Sequence, residues 1–208
     1  MLLVSGVTGK GTDTVLYGII ETLDATKAAK LEAVAAACRP HGAQVLCVPT
    51  DVSVRADCEA LIAQTVQQFG RIDTLINNAG ISAHALLQDV DASHLGWYEE
   101  LMRVNLWGTI WCTHAALPHL KKSDKAWLVN ISSVFGQVAS VAQAGYSAAK
   151  GGVTILTKSV AAEFARANPE MPPGAVVVTC DGDLLDEVRI CLSKDRRFRD
   201  CGRQSRRG

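Results

Sequence analysis

Three apolar runs in this chain are nearly unbroken rather than alternating: Ala43 to Pro49 (AQVLCVP), Ala126 to Ile131 (AWLVNI) and Ala175 to Cys180 (AVVVTC). A strand with one face in water alternates apolar and polar residues, so a strand apolar at almost every position must bury both faces. A shorter run, Ile72 to Ile76, leads into a tight turn at Asn77 to Gly80. Between the runs lie helical patterns. Cys58, Leu61, Ile62, Thr65, Val66 and Phe69 recur at three- and four-residue steps and predict one buried stripe. Ser53 is the expected N-cap of that helix and Gly70 its expected stop. A longer pattern runs from Gly96 to Lys121, with a break expected near Asn105, and Val153, Leu156, Val160 and Phe164 mark the inner face of a helix starting near Tyr146. Strands alternating with helices imply parallel crossovers. The predicted fold is therefore α/β, a doubly wound parallel sheet in three layers, with one or more edge elements missing from the pattern.

In such a sheet ligands bind beyond the carboxyl ends of the strands. The unusual polar clusters fall there: Ser5 to Gly11, Asp51, Asn77 to Gly80, and Ser132 with Ser133. The other polar and aromatic residues read more plainly. His84, His94, His114 and His119 share no motif, and Trp97, Trp107, Trp111 and Trp127 are expected to pack the core or an interface.

Charge and cysteine usage narrow the setting. The formal net charge is zero, so no global field favours nucleic acid. No apolar run approaches the roughly 20 residues a membrane span needs, and the start MLLVSGVTGKG lacks the basic flank of a signal peptide. Seven cysteines, none in CxxC spacing, give a metal site little support and suit a reducing cytoplasm. Residues 1–192 are expected to form one domain, and the basic stretch from Ser193 to Gly208 a solvated tail.

The chemistry centres on GYSAAKGG, Gly145 to Gly152. Tyr146 and Lys150 share a face if the segment is helical. An ammonium so placed favours phenolate over phenol and turns tyrosine into a usable general acid or base. Ser133 ends a buried strand thirteen residues earlier, where its hydroxyl suits a carbonyl oxygen. Asn105 sits inside a helical pattern, where asparagine is a poor former.

Together these residues resemble the short-chain dehydrogenase/reductase family. The matching motifs are TDVS (Thr50 to Ser53), NNAG (Asn77 to Gly80), VNLWG (Val104 to Gly108), VNISSVFG (Val129 to Gly136) and YSAAK (Tyr146 to Lys150), in the family's order from about Leu31 to Phe164. The resemblance implies a Rossmann-like fold and an NAD(P)-dependent oxidoreductase working on an alcohol/ketone pair. It implies that Tyr146 exchanges the proton of the substrate oxygen and that Ser133 polarises that oxygen. Lys150 would tune the tyrosine and bind the nicotinamide ribose, and Asn105 would hold a helix irregularity and a water. Asp51 and Val52 would contact adenine, and Asn78, Ala79 and Gly80 the adenosine side of the cofactor. The family also implies a homodimer or homotetramer built on the long helices, a small alcohol or carbonyl substrate, and no metal.

The ends depart from the family pattern. Gly6, Gly9 and Gly11 form a G-x-x-G-x-G turn rather than the family's T-G-x-x-x-G-x-G. Such a turn can still cradle a pyrophosphate at a helix N-terminus. Asp24 is the candidate acidic residue for the adenosine ribose, which would favour NAD over NADP. Asp181-Gly182 stands where the family has Pro-Gly, and the expected lid and final strand do not follow. These departures suggest a truncated form, and keep open a second reading: a family relative that binds without catalysing.

Overall fold

The computed structural model of the chain describes residues 25–123, 126–167, 176–180 and 189–191. Five helices are described: α1 (Ala25–Cys38), α2 (Arg55–Phe69), α3 (Ala92–Met102), α4 (Gly108–Leu120) and α5 (Ala144–Ala167). Four strands, β1 (Thr74–Asn77), β2 (Trp127–Ile131), β3 (Val176–Cys180) and β4 (Arg189–Cys191), form one sheet in the order β1-β2-β3-β4. The first three are parallel, with Asn77 opposite Asn130 and Val129 opposite Val178; β4 runs antiparallel to β3. Helices α3 and α4 carry the chain from β1 to β2, and α5 carries it from β2 to β3. This is the Rossmann-like α/β fold that the unbroken apolar runs predict. The antiparallel β4 has no counterpart in the sequence reading, because three residues, Arg-Ile-Cys, are too few to show a period.

The core lies where α2, α4 and α5 meet the strands. Cys58, Leu61 and Ile62 from α2 pack with Leu75, Leu128, Cys112, Ala116, Leu120 and Val160. The predicted α2 stripe holds: Cys58, Leu61, Ile62 and Thr65 are buried, and Val66 and Phe69 pack against the cluster. Each such buried leucine or isoleucine contributes about 1.5–3 kcal/mol over its exposed state. Gly70 ends α2 as expected, at φ 77°, with its N–H on the Val66 carbonyl at 2.8 Å. Cys58 and Cys112 touch in the core, and this contact together with burial pushes the Cys112 thiol well up.

Three expectations need correction. Ser53 is not the N-cap of α2. The helix begins one residue later, with an extended Val54 that offers no side-chain oxygen. Two carboxylates order the turn that precedes it: Asp51 Oδ1 accepts the Ser53 N–H (2.8 Å), and Asp57 Oδ2 accepts that of Asp51 (3.2 Å). The run Ala43 to Pro49 is not assigned as a strand, because no described residue offers it a ladder. It still turns apolar weight inward: Val48 and Thr50 are buried, and Cys47 Sγ donates to the Leu31 carbonyl of α1. Trp97, Trp107 and Trp127 are each more than 40% exposed, so of the two expected roles, core or interface, the core one falls away for them.

The long helical pattern is broken where it was expected to be. Arg103–Trp107 is a π-helical turn between α3 and α4, centred on Asn105. The element starts earlier than the pattern suggested, at Ala92, because Asp91 caps it by accepting the His94 N–H at 3.1 Å. The glycines Gly6, Gly9 and Gly11, the acid Asp24, the pair Asp181-Gly182 and the basic stretch from Ser193 lie outside the described residues.

Candidate active site at the carboxyl ends of the parallel strands

A cavity of about 220 Å³ opens beyond the carboxyl ends of β1 and β2. Asn78, Gly80, Ile81 and Ser82 wall it on the β1 side, and Ile131, Ser132 and Ser133 on the β2 side. Tyr146 and Lys150, from the first turns of α5, complete the wall. Three predicted groups, a phenol, an ammonium and a hydroxyl, are thus brought to one space from separate segments.

Close backbone contact sets the spacing. Ser133 leaves β2 fully extended (φ −160°, ψ 157°), and its Oγ accepts the Phe135 N–H at 3.3 Å, opening a short 3-10 turn at Val134–Gly136. That turn lies directly on α5. A Cβ at Gly136 would stand 2.8 Å from the backbone carbon and oxygen of Lys150, so only glycine allows the approach. Ser132 fixes the same contact from the strand side. Its Oγ donates to the Lys150 carbonyl (2.9 Å) and shares a hydrogen bond with Thr154 Oγ1 (2.6 Å). Both serines line the cavity, but the Ser132 hydroxyl is taken up by α5, whereas Ser133 Oγ accepts the Phe135 N–H.

Lys150 is 4% exposed, and its Nζ donates to the Ile131 carbonyl at 2.8 Å. Burial disfavours the charged form and pulls its pKa down to about 8. The ammonium still lies 5.8 Å from the Tyr146 ring centre. An ammonium has three donors, and one is used on Ile131. The other two suit a polyhydroxylated group such as a ribose, and at Gly80 a Cβ would approach to 2.7 Å from Asn105 Oδ1 and 3.4 Å from Lys150 Nζ. The donor set and the missing Cβ fit the nicotinamide-ribose end of a dinucleotide.

Asn105 is 1% exposed and does not line the cavity. From the π turn its side chain pairs with both backbone groups of one residue: Oδ1 accepts the Ile81 N–H (3.0 Å) and Nδ2 donates to the Ile81 carbonyl (2.8 Å). This mimics a strand partner and pins the turn after β1. Three other predicted contacts also lie off the cavity wall. Ala79 packs on the core, Val52 is buried against Gly108, and the Asp51 carboxylate is engaged at the start of α2.

Two features escaped the sequence. Asn77 Nδ2 donates to Asn130 Oδ1 (2.8 Å) and to Thr113 Oγ1 (3.0 Å), and Asn130 Nδ2 donates to Thr157 Oγ1 (2.9 Å). This buried ladder ties β1, β2, α4 and α5 together just below the site. Only the strand register reveals it. The second is Gln143, 4% exposed, whose amide lies 2.5 Å from His84 Nδ1 and 3.1 Å from Nε2. Its place three residues before Tyr146, on the same helical face, was the available signal.

Residues 15–180 match the sequence profile described as short chain dehydrogenase. The chain is 32% identical over 163 residues to the 3-oxoacyl-acyl-carrier-protein reductase FabG of Staphylococcus aureus, covering 77% of this chain and 65% of that protein. It is 38% identical over 122 residues to the 2-(R)-hydroxypropyl-CoM dehydrogenase of Xanthobacter autotrophicus, covering 59% and 49%. Against the L-fucose dehydrogenase of Oryctolagus cuniculus it is 40% identical over 111 residues, covering 53% and 38%. The matched stretch thus spans less than two thirds of each of these relatives. With a profile match over most of its length and the site motifs on one cavity, this chain belongs to the short-chain dehydrogenase/reductase family.

Proposed function

We propose that the chain is an NAD(P)-dependent oxidoreductase that interconverts an alcohol and a ketone, with Tyr146 as general acid and base. One observation carries this reading: Tyr146 and Lys150, one turn apart on α5, line a single cavity with Ser133. In the reducing direction Tyr146 Oη gives its proton to the carbonyl oxygen as the C=O π bond opens. Ser133 Oγ donates a hydrogen bond to the same oxygen and holds it against the phenol. When bound, the nicotinamide supplies the hydride to the carbonyl carbon, and takes it up in the oxidising direction. The Lys150 ammonium stabilises the phenolate left behind and returns a proton to it. Asn105 acts as a positioning residue that keeps Gly80 and Ile81 clear of the cofactor's space.

Lys150 and Tyr146 would hold the nicotinamide ribose. Asn78, Ala79 and Gly80, with Asp51 and Val52, would face the adenosine part, and Gly6, Gly9 and Gly11 the pyrophosphate. The cofactor is NAD or NADP. The substrate is a small alcohol or carbonyl compound, consistent with relatives named as dehydrogenases and reductases. A cytoplasmic homo-oligomer fits this reading. No disulfide joins the described Cys38, Cys47, Cys58 and Cys112, and no helix among the described residues is long and apolar enough to cross a membrane. The stacked Trp107–Trp111 pair (5.8 Å) on the α4 side and Ile155, 60% exposed on α5, offer apolar surface for a partner subunit.

The test is Tyr146→Phe in the full chain. NADH or NADPH binding, followed by nicotinamide fluorescence, should persist, and ketone reduction should fall at least a hundredfold, as loss of a general acid requires. Undiminished reduction by the variant would remove Tyr146 from the mechanism. Absence of cofactor binding by the unaltered chain would favour the non-catalytic reading.

A further inference from the structure

The two segments that carry the cavity outward are apolar at their surface. Ile81, Leu86 and Leu87 follow β1; Val134, Val138 and Val141 follow β2. These are six of the twelve exposed large apolar side chains among the described residues, with Leu87 at 67% and Val141 at 81% exposure. The segments are joined across the mouth. Ala85 N–H donates to the Ala142 carbonyl at 3.1 Å, and His84 meets the Gln143 amide, so Leu86 and Val141 flank one bridge. Ala142 holds φ 61°, a strained value for a residue with a Cβ, and it lies in that bridge. Neither segment carries Asp, Glu, Lys or Arg: none occurs from Ile81 to Gln88, nor from Ser133 to Ala149. A concentration of exposed apolar surface beside a polar cavity marks a binding surface rather than scattered exposure.

We propose that the substrate of this site is an uncharged, mainly hydrocarbon ketone or secondary alcohol, whose chain lies on the apolar mouth formed by residues 81–87 and 134–142. This rests on the oxidoreductase reading of the cavity. Continuity decides for the substrate over another occupant: Ile81 and Ser133 belong to the cavity wall, and the apolar residues extend outward from each of them. A phosphorylated or carboxylated substrate would find no lysine or arginine on either segment. A polyhydroxylated one would lose hydration along the apolar rim, with few polar side chains there, Ser82, His84 and Gln137 among them, to replace it. In the same bridge Gln143 Oε1 is buried without a partner and can take a donor.

The test uses the full chain with 2-alkanones of increasing length, their ω-carboxylates, and a polyhydroxy ketone. Turnover is read with NADH and NADPH, and binding to the Tyr146→Phe variant by titration calorimetry. Each added CH2 should raise kcat/KM about fourfold until the mouth is filled, the equivalent of one buried methylene. Carboxylates and polyhydroxy ketones should fall below the neutral ketone of equal length. Leu87→Asp and Val141→Asp, at exposed positions where the core is not disturbed, should flatten the dependence on chain length. Turnover independent of length, or highest for the charged or polyhydroxylated compounds, overturns the proposal and leaves the oxidoreductase reading standing. Binding that strengthens with length in the absence of any turnover removes the oxidoreductase reading and keeps the apolar mouth. Flat binding without turnover removes both.

Discussion

Replacing Lys150 with methionine separates the cost of burying this cation from its use. The unfolded chain keeps the lysine proton up to about 10.5, whereas the folded chain keeps it only to about 8. At pH 7 the folded protein therefore carries a buried charge whose desolvation costs about 3 kcal/mol. Between those two values the unfolded state binds more protons, so the stability of the wild-type protein rises with pH. From pH 7 to pH 9 the gain is on the order of 1 kcal/mol. Lys150→Met has no such proton. It does strip the Ile131 carbonyl of its donor, at a cost of about 1–3 kcal/mol. The two effects nearly cancel at pH 7, so the variant should be about as stable as wild type there and inactive. At pH 9 the wild type should gain on the variant by on the order of 1 kcal/mol relative to pH 7. Urea unfolding of both cofactor-free proteins at the two pH values measures this, and the difference between them cancels every other titrating group. Unfolding curves whose separation does not change with pH would refute the depressed lysine.

Three further outcomes follow from the same geometry. Ketone reduction should decline as pH rises through about 8, where Lys150 loses its charge; a rate profile that rises through that range would contradict its role. Asn105→Ala orphans the N–H and carbonyl of Ile81, and should cost about 1–3 kcal/mol in denaturant unfolding while raising the KM for cofactor. Ser132→Ala should lower stability by breaking its bonds to Lys150 and Thr154. Ser133→Ala removes one long cap bond, to the Phe135 N–H, so it should cost less stability than Ser132→Ala while lowering kcat about a hundredfold, as loss of one oxyanion donor does. The opposite pattern would exchange the two serines' roles.

Much of this site was legible because its chemistry depends on local spacing. Tyr146 and Lys150 are one turn apart, and Asn105 is a poor helix former in a helical run, so both the shared face and the break at Arg103–Trp107 could be read directly. Choosing Ser133 over Ser132 also needed only sequence distance from Tyr146. Features made by contacts across the fold were not readable. The Asn77–Asn130–Thr157 ladder exists only once β1 and β2 pair in this register. That Asp51 Oδ1 accepts the Ser53 N–H, and Asp57 Oδ2 the Asp51 N–H, likewise shows only once the chain turns into α2. Ala43 to Pro49 has strand composition, but strand identity belongs to a pair and not to a segment. The choice between core and interface for the tryptophans was unreadable for a related reason: aromatic content says a residue is valuable buried, not where the surface lies.

The central claim is that one cavity brings Tyr146, Ser133 and Lys150 to a carbonyl oxygen while hydride moves at the adjoining carbon. The most direct measurement supplies NADH and NADPH deuterated at nicotinamide C4, together with a neutral ketone, and analyses the alcohol by mass spectrometry and NMR. Hydride transfer at this cavity predicts one deuterium on the carbinol carbon with the wild-type chain and none with Tyr146→Phe. Cofactor that binds but never passes deuterium to any ketone, or equal transfer by both proteins, would contradict it.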